Sequence, residues 1–187
     1  MKLKTLCYLL GVLILISCSS NNESRQKSEI EILELKEYYA SLMKEAQIWA
    51  SDAYLYEVDI EIGAKKPWAL SAGFYSPSKD YESFEVLLNL QNRYSSRVFS
   101  HQRKILQQEP ILPSLWKIDS QEALNILLLE NEDSINNITE LCGSLKLDRR
   151  PTLPKRPLVW WVTYYECGSP AGNYSYLDPI TGKIIVP

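Results

Sequence analysis

The sequence predicts an α+β protein whose antiparallel sheets each pack on a helix, and three observations carry that expectation. The apolar period switches from helical to alternating twice, once after residue 50 and again after residue 130. Each helical stretch precedes the strands it would cover. In both halves the second strand opens with tryptophan, Trp68 in one and Trp160 in the other. A duplicated α-then-β unit accounts for all three, with units at residues 30–109 and 114–187 behind an N-terminal leader.

Ile30 to Ala50 reads as an amphipathic helix, because Leu35, Tyr39, Leu42, Ala46 and Trp49 recur at spacings of three and four. The period then drops to two. Tyr54, Tyr56, Val58, Ile60 and Ile62 point one way and Leu55, Glu57, Asp59 and Glu61 the other, until Gly63 ends the strand. Trp68, Leu70, Ala72 and Phe74 alternate in a second strand closed by Ser76-Pro77, and Phe84, Val86, Leu88 and Leu90 in a third. Arg97 to His101 reads as a short fourth strand, although residues 91–108 also admit a helix. Pro110 and Pro113 mark a connector. A second helix runs from Ser120 to about Glu130, with Asp119 as N-cap and Glu122 placed to close a capping box. Leu141 to Leu147 is the next strand, followed by the proline-rich loop Arg150 to Pro157. Leu158 to Glu166, dense in β-branched and aromatic residues, is the strongest strand signal in the chain. Tyr174–Leu177 and Lys183–Val186 form a final hairpin around Asp178-Pro179-Ile180-Thr181-Gly182.

Ahead of the first helix lie a basic start (Lys2, Lys4), an apolar run from Leu6 to Ile16 and a small residue, Ser17, the order of a secretory signal. That run is too short to cross the ~30 Å of hydrocarbon that a permanent membrane helix spans. Leu15-Ile16-Ser17-Cys18 resembles the lipobox of bacterial lipoproteins; the other reading is an ordinary signal with a chance cysteine. The resemblance implies removal of residues 1–17, acylation of the Cys18 thiol (the modification that palmitate labels) and a membrane partner held through that lipid. Ser19 resembles the sorting position of lipoproteins sent to the outer membrane, which in a Gram-negative cell implies a location facing the periplasm. Residues 18–29 are polar and cannot bury enough surface to offset their ordering entropy, so they read as a flexible tether.

Without Lys2 and Lys4, 18 basic residues face 23 acidic ones, and the acidic balance argues against a nucleic-acid partner. Cys7 falls in the signal and Cys18 at the anchor, which leaves Cys142 and Cys167. In an oxidising compartment they read either as a disulfide joining the strands on both sides of the residue 148–157 loop or as two buried thiols. No metal site is expected, because His101 is the only histidine and the cysteines lack CxxC spacing. No phosphate loop, dinucleotide fingerprint or GxSxG elbow is present, so neither a cofactor nor a catalytic set is expected.

Several constellations admit both a functional and a plain structural reading. Glu57, Asp59 and Glu61 place carboxylates about 6.6 Å apart on one strand face, a spacing compatible with a cation or a glycosidase pair. A solvated strand face is the preferred account. His101, set among Gln102, Arg103 and Lys104, lacks the orienting acid a general base needs and reads as a surface residue. Arg149, Arg150, Lys155 and Arg156 would suit an anionic headgroup or an acidic partner, but a solvated loop explains them as well. Trp160, Trp161, Tyr165, Tyr174 and Tyr176 form the aromatic concentration nominated for binding. Consecutive strand residues face opposite ways, so Trp160 and Trp161 cannot share one core. Either one indole lies in an exposed binding patch or a helix covers each face of the sheet.

Three separated stretches carry a family resemblance: Trp116 to Leu124 with its Ser120-Gln121-Glu122-Ala123, Trp161-Val162-Thr163-Tyr164, and Tyr176 to Ile185 with Asp178, Thr181, Gly182 and Lys183. In that order they resemble the PepSY and PepSY-like domains over roughly residues 116–187. The resemblance implies a cystatin-like α+β unit without catalytic residues, and an inhibitory or chaperone-like role toward a protein. The expected function is therefore a non-enzymatic envelope lipoprotein that binds an unidentified envelope protein or peptide. The final strand, Ile184 to Val186, is the expected edge for strand addition. A ligand- or glycan-binding lipoprotein that stacks sugars on its aromatics is the alternative.

Overall fold

The computed structural model describes residues 30–63, 69–130, 141–150, 157–167 and 173–185. Cys18 with the leader and tether, Trp68, and Lys155 and Arg156 lie outside them.

Helix α1 spans Leu35–Trp49, five residues shorter at its start than the period suggests. Leu35, Leu42 and Ala46 are buried, with Tyr39 and Trp49 packed beside them, so the expected stripe faces the core. Strands β1 (Tyr54–Ile62), β2 (Leu70–Tyr75), β3 (Glu82–Leu88) and β4 (Tyr94–Ser100) follow. A 3-10 turn at Pro113–Leu115 then leads into α2 (Ser120–Glu130), β5 (Leu141–Arg149), β6 (Leu158–Glu166), β7 (Asn173–Leu177) and β8 (Ile184–Ile185). The order helix-then-four-strands occurs twice. Residues 91–108 hold a turn, β4 and an extended segment, which excludes the helical reading; Leu90, assigned to the third strand by its period, sits exposed in the turn.

The strands do not form a sheet for each helix. They make one antiparallel sheet in the order β4-β3-β2-β1-β5-β6-β7-β8, joined where β1 pairs with β5 from Val58↔Leu147 to Ile62↔Gly143. Two meanders thus meet along a seam of first strands. Residues of both helices belong to one apolar cluster with Val58, Ile60, Leu70, Phe74, Leu145, Trp160 and Val162, so both lie on the same face of the sheet. The other face carries no helix among the described residues.

The alternation in β1 is interrupted. Leu55 pairs with Phe74 and Glu57 with Gly73, which leaves Tyr56 as the extra residue of a β-bulge. Leu55 therefore shares the core face with Val58, Ile60 and Ile62, contrary to an unbroken period of two. Tyr56 and Glu57 both turn to the open face over Gly73, where a Cβ would come 2.7 Å from the Glu57 side chain.

Residues 30–34 are extended, and the start of α2 clamps them. Gln121 accepts from Ile32 N–H (2.9 Å) and donates to the Ile30 carbonyl (2.9 Å). Ser120 Oγ donates to the Leu33 carbonyl (2.7 Å) and accepts from Leu35 N–H (3.0 Å). Asp119 accepts from its neighbour Ser120 N–H (2.8 Å) and from Lys36 N–H (3.2 Å). One polar triplet thus supplies partners to the first turn of α1, whose own N-cap residue, Glu34, makes no side-chain cap. Ser120→Ala strands a buried donor, Leu35 N–H, and a partly buried acceptor, the Leu33 carbonyl, with an expected cost of about 2–3 kcal/mol. Urea unfolding should show it as a lower midpoint at unchanged slope, with faster amide exchange at Leu35.

The residues nominated by the family resemblance have structural roles. Asp178 accepts from Ile180 and Thr181 N–H (both 2.8 Å), and Gly182 takes the left-handed φ of +69° that closes the β7–β8 turn. Burial works to raise the Asp178 pKa, but these backbone donors outweigh it and hold the carboxyl below its usual range. The Pro179 carbonyl accepts from Lys117 (2.8 Å) and Ile118 (2.9 Å) N–H, docking the turn onto the entry to α2. The β3–β4 turn also opens on a side-chain acceptor, though it is one residue shorter: Asn89 Oδ1 accepts from Gln91 (3.0 Å) and Arg93 (2.9 Å) N–H, and Tyr38 of α1 reaches Asn92 (3.0 Å).

Candidate functional site on the open sheet face

Cross-strand register places Asp59, Lys146, Trp161, Tyr176 and Ile185 in one row over β1, β5, β6, β7 and β8. Directly opposite residues on neighbouring strands share a face, and this row lies opposite the helices. Lys146 Nζ bonds Asp59 at 2.9 Å and stands 5.4 Å from the Trp161 ring centre. Arg150, just beyond β5, places its guanidinium carbon 4.1 Å from Trp161 and 5.4 Å from Tyr176, and donates to Tyr176 Oη at 3.3 Å. Trp161 and Tyr176 are 6.5 Å apart, and Tyr174 lies 5.8 Å from Tyr176. Val159, Tyr176, Trp161 and Ile185 make a small apolar cluster separate from the main core. The result is an aromatic and cationic ridge on the β5–β8 half of the open face.

The nominated aromatics divide sharply. Trp160 is 0% exposed, lies in the main core and donates Nε1–H to the Ile118 carbonyl at 2.8 Å. That removes it from any binding surface: it belongs to the face both helices cover. Trp161 is half-buried on the opposite face, Tyr176 is nearly covered, Tyr165 is 37% exposed and Tyr174 is 62% exposed. Helices α1 and α2 sit on one face, so among the described residues no helix covers the other.

No family model matches the sequence, and neither the curated proteins nor the solved structures yield a match.

Beside the ridge, carboxylates sit in an unusual setting. The Glu57 side chain lies against Gly73 and Tyr56 while staying exposed to solvent, and partial desolvation there pushes its carboxyl up; the Tyr56 hydroxyl works against the shift, and the Asp148 charge adds to it. Burial likewise raises Asp148, with Arg150, Trp161 and Lys146 opposing. Tyr56 is raised strongly, first by burial and then by the Glu57 charge. Among the described residues, no group of three or more His, Cys, Asp or Glu side chains is arranged to hold a metal ion.

Other nominated residues fall elsewhere. Cys142 and Cys167 form a disulfide, with Cα atoms 5.1 Å apart, linking the start of β5 to the residue after β6. Arg149 pairs with Glu109 (2.9 Å). His101 Nε2 lies 2.9 Å from Ser83 Oγ, an exposed pair beside the β3–β4 edge. Its hydrogen bonds among the described residues bring no carboxylate to orient the imidazole, so the pair lacks the third member that general-base activation uses. The stacking of Arg150 on Trp161 escapes sequence reasoning, since a basic residue before a proline loop carries no mark of the ring that receives it.

Proposed function

We propose that this is a non-enzymatic, lipid-anchored envelope protein, built of two tandem PepSY-like (cystatin-like) α-then-β units, that captures a protein or peptide on its open sheet face. The observation that carries the reading is the ridge of Trp161, Tyr174, Tyr176 and Arg150 on a face that no helix covers among the described residues. Tryptophan, tyrosine and arginine dominate protein-binding hot spots, because they combine large apolar area with directed polar contacts. The repeated helix-and-four-strand order, with a side-chain acceptor opening the turn before the last strand of each half, supports the tandem assignment. An inhibitory or chaperone-like role is the form that the PepSY likeness suggests.

Glycan binding is less well supported. A sugar stacks on a bare ring, whereas Arg150 already lies 4.1 Å over Trp161. A protein partner can exploit that arrangement, since its acidic groups meet the guanidinium while its apolar groups cover the exposed Tyr174 ring.

The anchor at Cys18 is part of the proposal and lies outside the described residues. Cells fed labelled palmitate should transfer label to the full-length chain and not to Cys18→Ala, which should leave the membrane fraction. The binding face is tested by a photo-crosslinking residue placed at Tyr174 in the full-length chain, with Ile48 on α1 as control. Discrete adducts with another protein are expected from Tyr174 and should weaken at least tenfold when Trp161→Ala and Arg150→Ala are added. Adducts of equal strength from Ile48 would move the surface to the helical side.

A further inference from the structure

The two ends of the sheet are unlike. β8 is two residues long, whereas β4 has seven residues, every one exposed, and pairs with β3 without a register shift. Edges are usually blunted by proline, lysine, a bulge or a covering loop. Strand β4, Tyr-Ser-Ser-Arg-Val-Phe-Ser, has no proline, lysine or bulge, and its single charge, Arg97, is already paired with Glu85 of β3.

The backbone phase of this edge follows from its ends. Arg93 accepts from Asn89 N–H (3.2 Å), and His101 N–H donates to the Tyr81 carbonyl (2.8 Å), so odd-numbered residues turn their main-chain groups toward β3. In an antiparallel ladder the alternate residues turn theirs outward. Tyr94, Ser96, Val98 and Ser100 therefore offer a row of main-chain donors and acceptors along the free edge.

We infer that this edge pairs with β4 of a second copy, antiparallel about a two-fold axis at Ser96. The occupant is argued from self-complementarity. With the axis at Ser96, Tyr94 faces Val98 of the second copy twice over, serine faces serine at the centre, and Arg97 faces Ser95 of the second copy. Tyr94 and Val98 are 41% and 47% exposed in the single chain, so each gains an apolar neighbour. An axis at Arg97 would instead oppose two guanidinium groups and set Val98 against serine. An axis at Val98 would leave Tyr94 beyond the paired stretch. A two-fold axis perpendicular to the sheet keeps both helical layers on one side, giving a continuous sixteen-stranded open face with two copies of the aromatic ridge.

The register makes the inference testable in the full-length chain in its own membranes. Facing residues of an outward-bonded pair have Cα atoms about 5.5 Å apart, within disulfide reach. Mild oxidation of Ser96→Cys should convert more than half of the chain to a species of twice the mass on a non-reducing gel. Val98→Cys and the wild-type chain should give less than a tenth of that yield. Ser96→Pro, which removes only an outward N–H, should abolish the cross-linking of a Tyr94→Cys, Val98→Cys chain while leaving the melting temperature of the protein within a few degrees. A monomeric Ser96→Cys, or an equal yield from Val98→Cys alone, would overturn the assignment. So would cross-linking of Ser96→Cys to a different polypeptide, which would make the edge a seat for another chain's strand.

Discussion

Trp160→Ala is expected to remove about 3–5 kcal/mol of folding stability, the penalty typical of truncating a fully buried large aromatic. The indole fills the core between α2 and the sheet, and its N–H is a partner of the Ile118 carbonyl. Truncation therefore opens a cavity and takes a donor from that carbonyl at one stroke. Trp161→Ala, one residue further on, should cost only about 1–2 kcal/mol, because its ring is half-buried in the small cluster on the open face. The capture of partners should show the reverse order, with Trp161→Ala crippling it and Trp160→Phe, if folded, leaving it intact. Guanidinium unfolding of the two alanine variants side by side measures the first contrast. Equal losses of stability would contradict the opposite placement of the two rings.

Breaking the Cys142–Cys167 disulfide should cost about 3.5 kcal/mol on the chain-entropy account, given a sequence separation of 25. The bond ties the open end of the β5–β6 pair, whose other end is joined by the residue 150–157 loop. Without it, that hairpin must hold its register by ladder bonds and side-chain pairing alone. A reducing agent should lower the melting temperature of the native chain by roughly 7–14 °C. The Cys142→Ala, Cys167→Ala chain should melt at the reduced value and not respond to reductant. If reductant moved both chains equally, the stabilisation would lie elsewhere.

The sequence foretells some elements closely and is silent on others, for definable reasons. The bounds of α2 and β6 are legible because a helical period beginning at Ser120 makes one and a dense β-branched and aromatic run makes the other, although the Asp119 carboxylate read as the cap of α2 bonds Ser120 and Lys36 N–H instead. Alternation assigns each side chain to a face but does not name the neighbouring strand. The pairing of β1 with β5 is therefore hidden, and two sheets are expected where there is one. Strand β4 is hard to read because an edge with every side chain exposed has no buried set to alternate with. The bulge at Tyr56 is hidden for another reason: both readings of Tyr54 to Ile62 place apolar residues inward, and only the partner strand decides between them. At the ridge, the separation of Trp160 from Trp161 follows from strand geometry alone. Which indole faces inward depends on where both helices come to lie, a tertiary fact.

The seam between β1 and β5 joins residues more than eighty positions apart in the chain. Wherever the chain emerges N-terminus first, the first meander waits with Val58, Ile60 and Ile62 on a strand that lacks its β5 neighbour until that mate follows. A chain in that state is sticky, and one truncated between residues 110 and 140 should yield material that clumps or recruits holdases. For the same reason neither half is a natural fragment to express by itself: each would carry away an unsatisfied interior edge of the other.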